Sequence, residues 1–139
     1  MRSVVTVVSA LVLVGCATAP AARAQAQPQR AGMNAPVEFL LTAAATDFHS
    51  HLPYAVRFRK VRIGSVMSPD RATHYRLCGQ FLPAQERAKA EWTPFVTIKT
   101  SGYEQLLGAQ AVSFCKGSSI TWHKEDLSSS LQSRLDSLR

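Results

Sequence analysis

YAVRFRKVRIGSVM, Tyr54 to Met67, changes its apolar phase halfway along. Side chains alternate between the two faces of an extended chain, so Val56 and Phe58 share one face and Val61 and Ile63 share the other. Both pairs reach one buried face only if an extra residue is inserted between them. The spacing therefore predicts a β-strand with a bulge near Arg59-Lys60.

Upstream, APVEFLLTAAATDFHSHLP predicts a helix. Val37, Leu41, Ala44, Ala45, Phe48 and Leu52 recur at three- and four-residue spacing and form one apolar stripe. Asn34 is a candidate N-cap, Glu38 suits the positive end of the helix dipole, and Pro53 stops the helix. Downstream, SPDRAT reads as a turn. HYRLCGQFL and WTPFVTIKT read as second and third strands, SGYE as a turn, AQAVSFC as a fourth strand, KGSS as a hairpin turn and ITWH as a short fifth strand. In EDLSSSLQSRLDSLR, Leu127, Leu131, Leu135 and Leu138 have helical spacing, and Glu125 or Asp126 can serve the N-terminal end. The expected fold class is α+β: a small antiparallel sheet of four to five strands with an N-terminal and a C-terminal helix on one face.

The chain before this domain has a different character. Met1-Arg2-Ser3 is a short positive start, and Val4 to Val14 is an apolar run too short to span a bilayer, which takes about 20 residues. It fits a secretory signal peptide. The run ends in Leu13-Val14-Gly15-Cys16, which resembles the lipobox of bacterial lipoproteins. That resemblance implies a diacylglycerol thioether on Cys16 and cleavage that leaves Cys16 as the first residue. Cleavage after the small-x-small triplet Ala22-Arg23-Ala24 is the competing reading, and it gives a soluble periplasmic or secreted protein. Residues 17–35 hold Ala, Gln, Pro, Arg and Gly and almost nothing large and apolar, so they read as a flexible tether able to stand a domain some tens of Å off a membrane. The expected organisation is signal peptide 1–15, tether 16–35 and one domain 36–139.

Either cleavage removes Cys16 from disulfide chemistry and leaves Cys78 and Cys115. In an exported protein two remaining thiols are expected to pair. Both leave the more apolar face of their expected strands, as a bridge between neighbouring strands requires. On the chain-entropy picture such a bridge stabilises the domain by about 4 kcal/mol.

The charge is +7 for the whole chain, and removal of Arg2 leaves 15 basic against 9 acidic residues. A basic exported domain is drawn to anionic surfaces. The basic residues concentrate at Arg57, Arg59, Lys60 and Arg62, which read either as an anion-binding stripe or as charges that protect an edge strand from aggregation.

Templates for catalysis are missing: there is no Gly-x-Ser-x-Gly elbow, phosphate-cradling glycine loop, paired-carboxylate signature or Cys-x-x-Cys. His49 and His51 point apart at i, i+2 on a helix and belong near its last carbonyls. His74 and Cys78 lie about 13 Å apart along a strand, too far to chelate one ion. No metal, no other cofactor and no specific nucleic-acid partner is expected.

PYAVRFRKVRIG followed by YRLCGQF resembles a group of small exported proteobacterial proteins of unknown function, over about Pro53 to Gly79. The resemblance implies export and a small α+β domain and carries no activity. The chain departs from it at FLPAQERAKAEWTPF, where that group continues with Asn, Gly and Tyr. The expectation is a lipid-anchored envelope protein, at the outer membrane and facing the periplasm, that acts as a non-enzymatic structural or interaction domain. Its expected partners are the membrane through the anchor and either an anionic envelope polymer or another envelope protein. Inhibition of an exported hydrolase such as lysozyme is the alternative, although a basic inhibitor of a basic enzyme works against its own electrostatics.

Overall fold

A computed structural model describes residues 28–52, 54–84 and 90–139, with side chains from Met33 onward. The signal peptide, Cys16, the competing cleavage site and most of the expected tether lie outside the described residues. Eight elements follow one another: α1 (Pro28–His51), β1 (Val56–Met67), β2 (Thr73–Pro83), β3 (Thr93–Lys99), β4 (Tyr103–Leu107), α2 (Ala109–Cys115), β5 (Thr121–Trp122) and α3 (Ser128–Ser137). The strands form one sheet in the order β4-β3-β2-β1-β5, antiparallel throughout. The α+β architecture is as the sequence predicts.

The bulge is present and sits where the phase change requires it. The β1–β2 register shifts between Arg59 and Arg62, and Lys60 takes a left-handed backbone with φ 54°. Val56, Val61 and Ile63 are buried and Phe58 packs against them, so both apolar pairs reach one core. A bulge frees backbone groups from the ladder, and buried ones need partners. Here the start of α3 supplies them. The Ser128 hydroxyl accepts the Val61 N–H at 3.1 Å, and Leu127 donates its N–H to the Val61 carbonyl at 2.7 Å.

Helices α1 and α3 cover this face. Leu40, Leu41, Ala44, Ala45 and Phe48 meet Leu127, Leu131 and Leu135 over the sheet. The Phe48 ring lies edge-on to Phe58, Phe81 and Phe95 at 5.0, 5.0 and 5.2 Å between centroids, the tilted arrangement that aromatic quadrupoles favour. The Asp126 carboxylate accepts the Ser128 N–H at 2.8 Å, serving the start of α3 as expected.

Several expectations are corrected. Helix α1 begins at Pro28, so Asn34 and Pro36 lie inside it and Asn34 is not its N-cap. Leu138 ends the C-terminal stripe in solvent, 44% exposed. The turn at SGYE is shorter than expected, because Tyr103 already belongs to β4. AQAVSFC is a helix and not a strand: of its seven residues Ala111 is buried and Val112 and Cys115 are half-buried, a set at i, i+1 and i+4 that shares one face of a helix. KGSS is therefore a helix-to-strand turn, not a hairpin.

That reassignment puts a helix on both faces. From the β4 edge the chain turns at Gly108 (φ 65°), runs as α2 over β3 and β4, and returns beyond β1 as β5. Cys78, Val96 and Ala111 form a second, smaller core under this strap.

Candidate functional site

On the strap side of the sheet, β1 presents Arg57 and Arg59 before the bulge and Arg62 after it, all exposed and opposite to the buried Val56, Val61 and Ile63. Without the inserted residue, Arg62 would share the phase of Phe58 and point into the α1–α3 core. The register places Arg59 across from Gln80 and Arg62 across from Cys78. Three of the four expected basic residues thus project from one surface, and Lys60, on the bulge itself, lines the same cleft as Arg62.

The disulfide joins Cys78 of β2 to Cys115 at the end of α2, with the Cα atoms 6.1 Å apart. The pairing is as expected; the geometry is strand to helix, not strand to strand. The bridge pins the last turn of α2 to the middle of the sheet. Arg76 reinforces it, donating from Nη1 to the Phe114 carbonyl at 2.7 Å, a cation at a helix C-terminus. Burial lowers the pKa of Arg76 from its ordinary value, and its Nε is buried without a partner among the described residues.

Between the bulge and the strap lies a cleft of about 230 Å³. Lys60, Arg62 and Lys116 stand around it, and Gln80, Trp122 and the disulfide line it further, with Pro94 and Val112 on the apolar side. Among the described residues no carboxylate lines it. The Arg62 guanidinium lies 5.5 Å from the centre of the Trp122 ring, and Arg59 lies 4.2 Å from that of Trp92, so both cations rest on aromatic faces. The Arg59 Nε donates to the Gln80 Oε1 at 2.8 Å. That bond fixes the amide by its oxygen, leaving its NH2 group as a donor. Among the described residues the ion pairs are His51–Asp47 and Arg134–Glu38, so none involves the basic stripe.

Sequence reasoning missed Lys116 and Gln80 as neighbours of the stripe; Trp122 could be read as an aromatic of either a ligand cleft or the core, without its place beside Arg62. The available signal was the disulfide itself: a bridge from Cys78 to Cys115 must carry Lys116 to the strand position facing Arg62. Gly64 serves the same corner. A side chain there would meet Ile120 at 2.5 Å and the Trp122 ring at 3.0 Å, so the glycine lets β5 close against β1.

The histidines form no site. His51 Nδ1 lies 3.0 Å from the Asp47 carbonyl, near the last carbonyls of α1 as expected, and His74 bonds the Ser68 hydroxyl at 3.1 Å. Among the described residues no group of three or more metal-ligating side chains comes together, and no helix is long and apolar enough to cross a membrane. Comparison with protein-family models, curated proteins and solved structures finds no match for this chain.

Proposed function

We propose that this protein is a non-enzymatic binding domain of the bacterial envelope, anchored through a lipid on Cys16, whose basic face engages an anionic envelope component. The observation that supports the binding part is the bulge. It turns Arg57, Arg59 and Arg62 onto one solvated surface beside Lys60 and Lys116, with no carboxylate paired to them among the described residues. Exposed cations concentrated on one face attract polyanions and headgroups at a range set by screening, about 8 to 10 Å near physiological salt.

The anchor part rests on Leu13-Val14-Gly15-Cys16 at the end of the apolar run. Intact mass of the mature protein, with and without Cys16→Ser, tests it. The expected product begins at Cys16 and carries acyl mass that the variant lacks. A product that begins at Gln25 without acyl mass contradicts it.

A second reading of the stripe has its own observation. Strand β5 pairs only with Gly64 and Ser65, so the Val56–Lys60 half of β1 has no strand on its outer side among the described residues. Charges there also discourage edge-to-edge pairing. Replacing Arg57, Arg59 and Arg62 together with Ser separates the two. Edge protection predicts aggregation of the variant with unchanged binding; the binding reading predicts a monomeric, folded variant that has lost its anionic partner.

A further inference from the structure

The cleft beside the stripe is smaller and more specific than a charged surface needs to be. Among the described residues its polar side chains offer donors: the Lys60 and Lys116 ammonium groups, the Arg62 guanidinium and the NH2 group of Gln80, whose oxygen is taken by Arg59. Three of them are cationic, which exceeds what a single carboxylate would balance and suits a phosphomonoester, which carries close to two negative charges at neutral pH. Arg62 is held on Trp122, so its planar fork is oriented before a ligand arrives.

The opposite wall is apolar. Pro94, Val112, the Cys78–Cys115 bridge and Trp122 offer carbon, sulfur and an aromatic ring, with nothing to bond a second charge. At about 230 Å³ the space exceeds what a bare phosphate fills, yet falls short of the 300 Å³ or so at which drug-sized sites begin. Resting on the binding function proposed above, we infer that this cleft is a site for an organic phosphate whose carbon part is about the size of one sugar ring. The phosphoryl group sits among Lys60, Arg62 and Lys116, and the ring lies against Trp122, Val112 and Pro94. The same chemistry is offered by a free sugar phosphate and by a phosphorylated sugar carried on a surface.

Titration of the oxidised full mature chain carrying Cys16→Ser, followed by Trp fluorescence and by amide NMR, tests this. The probes are glucose 1-phosphate, inorganic phosphate, glucuronate and glucose. Glucose 1-phosphate is expected to bind most tightly, with shifts at Gln80, Val112, Lys116 and Trp122. Glucuronate and inorganic phosphate are expected to be weaker by about tenfold, the loss of one charge-assisted contact or of the ring's apolar contact. Lys116→Ser and Arg62→Ser should each weaken glucose 1-phosphate by about tenfold while leaving the fold and the disulfide intact. Vesicles containing phosphatidylinositol 4-phosphate, set against plain phosphatidylcholine vesicles, form the surface arm. Where glucose 1-phosphate itself binds and competes with the vesicles, tighter binding to the vesicles identifies a surface-borne phosphosugar, and tighter binding to glucose 1-phosphate identifies a free one. Equal binding of glucuronate and glucose 1-phosphate overturns the phosphate assignment. Binding of anionic vesicles with no response to glucose 1-phosphate overturns the cleft and leaves the proposed function standing. No binding to anionic vesicles, envelope polymer or glucose 1-phosphate at low salt overturns both.

Discussion

At Lys60 the backbone adopts φ 54°, a region in which side chains with a Cβ are strained and branched ones most of all. Lys60→Gly should therefore fold at least as stably as the parent, whereas Lys60→Val should lose about 1–3 kcal/mol by urea denaturation. Equal stability of the two variants would show that the bulge is not where the strand is constrained. Opposite the bulge, Gly79 has no room for a side chain. A Cβ there would stand 2.8 Å from both the Phe95 ring and the Val61 methyl. Gly79→Ala should cost about 1–3 kcal/mol in the same measurement, because the packed aromatic core must shift to admit it. Both residues serve one end: they let the strand change phase over a closed core and send Arg62 to solvent. The bulge was legible in the sequence because burial has period two and Val56, Phe58, Val61 and Ile63 violate it in one step. The outward placement of Arg57, Arg59 and Arg62 follows from the same four residues.

The elements were less evenly legible. Helix α1 was visible through its long stripe and α3 through its leucines, since both bury a face against the same core. Helix α2 was not. Seven residues make barely two turns, and AQAVSFC places small, apolar and polar residues so that periods of two and 3.6 fit it equally well. Too short to hold by itself, it depends on the bridge to Cys78 and on Arg76. Replacing both cysteines with Ser should cost about 4 kcal/mol on the chain-entropy account, and hydrogen exchange should quicken first at Ala109–Cys115 while α1 and α3 keep their protection. Uniform loss of protection over the whole domain would contradict that ordering. The β1–β2 turn carries a separate, pH-dependent contact. The Ser68 hydroxyl and the Ala72 N–H bond the Asp70 carboxylate and hold its pKa below the ordinary value, with His74 adding a smaller electrostatic pull. A carboxyl depressed in the folded state stabilises above its unfolded pKa, near 4, and that contribution fades as pH falls through the folded value. The protection factor of the Ala72 amide, taken against the intrinsic exchange rate at each pH, should therefore fall on acidification, and Asp70→Asn should abolish that fall. Persistence of the fall in Asp70→Asn would assign it to another group.

At the scale of the molecule, one face of the sheet is closed by two helices and the other is half-open, crossed by a strap that a disulfide holds down. The closed face supplies the stability: Phe48, Phe81, Phe95 and the leucines Leu40, Leu41, Leu131 and Leu135 are almost wholly buried there. The half-open face carries Arg57, Arg59, Lys60, Arg62 and Lys116, none of them in an ion pair among the described residues. How much of that site the sequence disclosed was limited by topology. The stripe lies within six consecutive residues and could be read directly, but Lys116 and Trp122 reach it only because the chain crosses the sheet between β4 and β5. The central claim is that this face binds anions through exposed charge. The salt dependence of binding tests it most directly: the mature Cys16→Ser chain, which lacks an acyl anchor, is sedimented with anionic phospholipid vesicles over a range of ionic strengths. The account predicts binding at low salt that falls steadily as screening shortens toward about 8 Å, and a weaker, flatter dependence when Arg57, Arg59 and Arg62 are replaced by Ser. Binding that ignores salt, or a triple variant that sediments as the parent does, would contradict it.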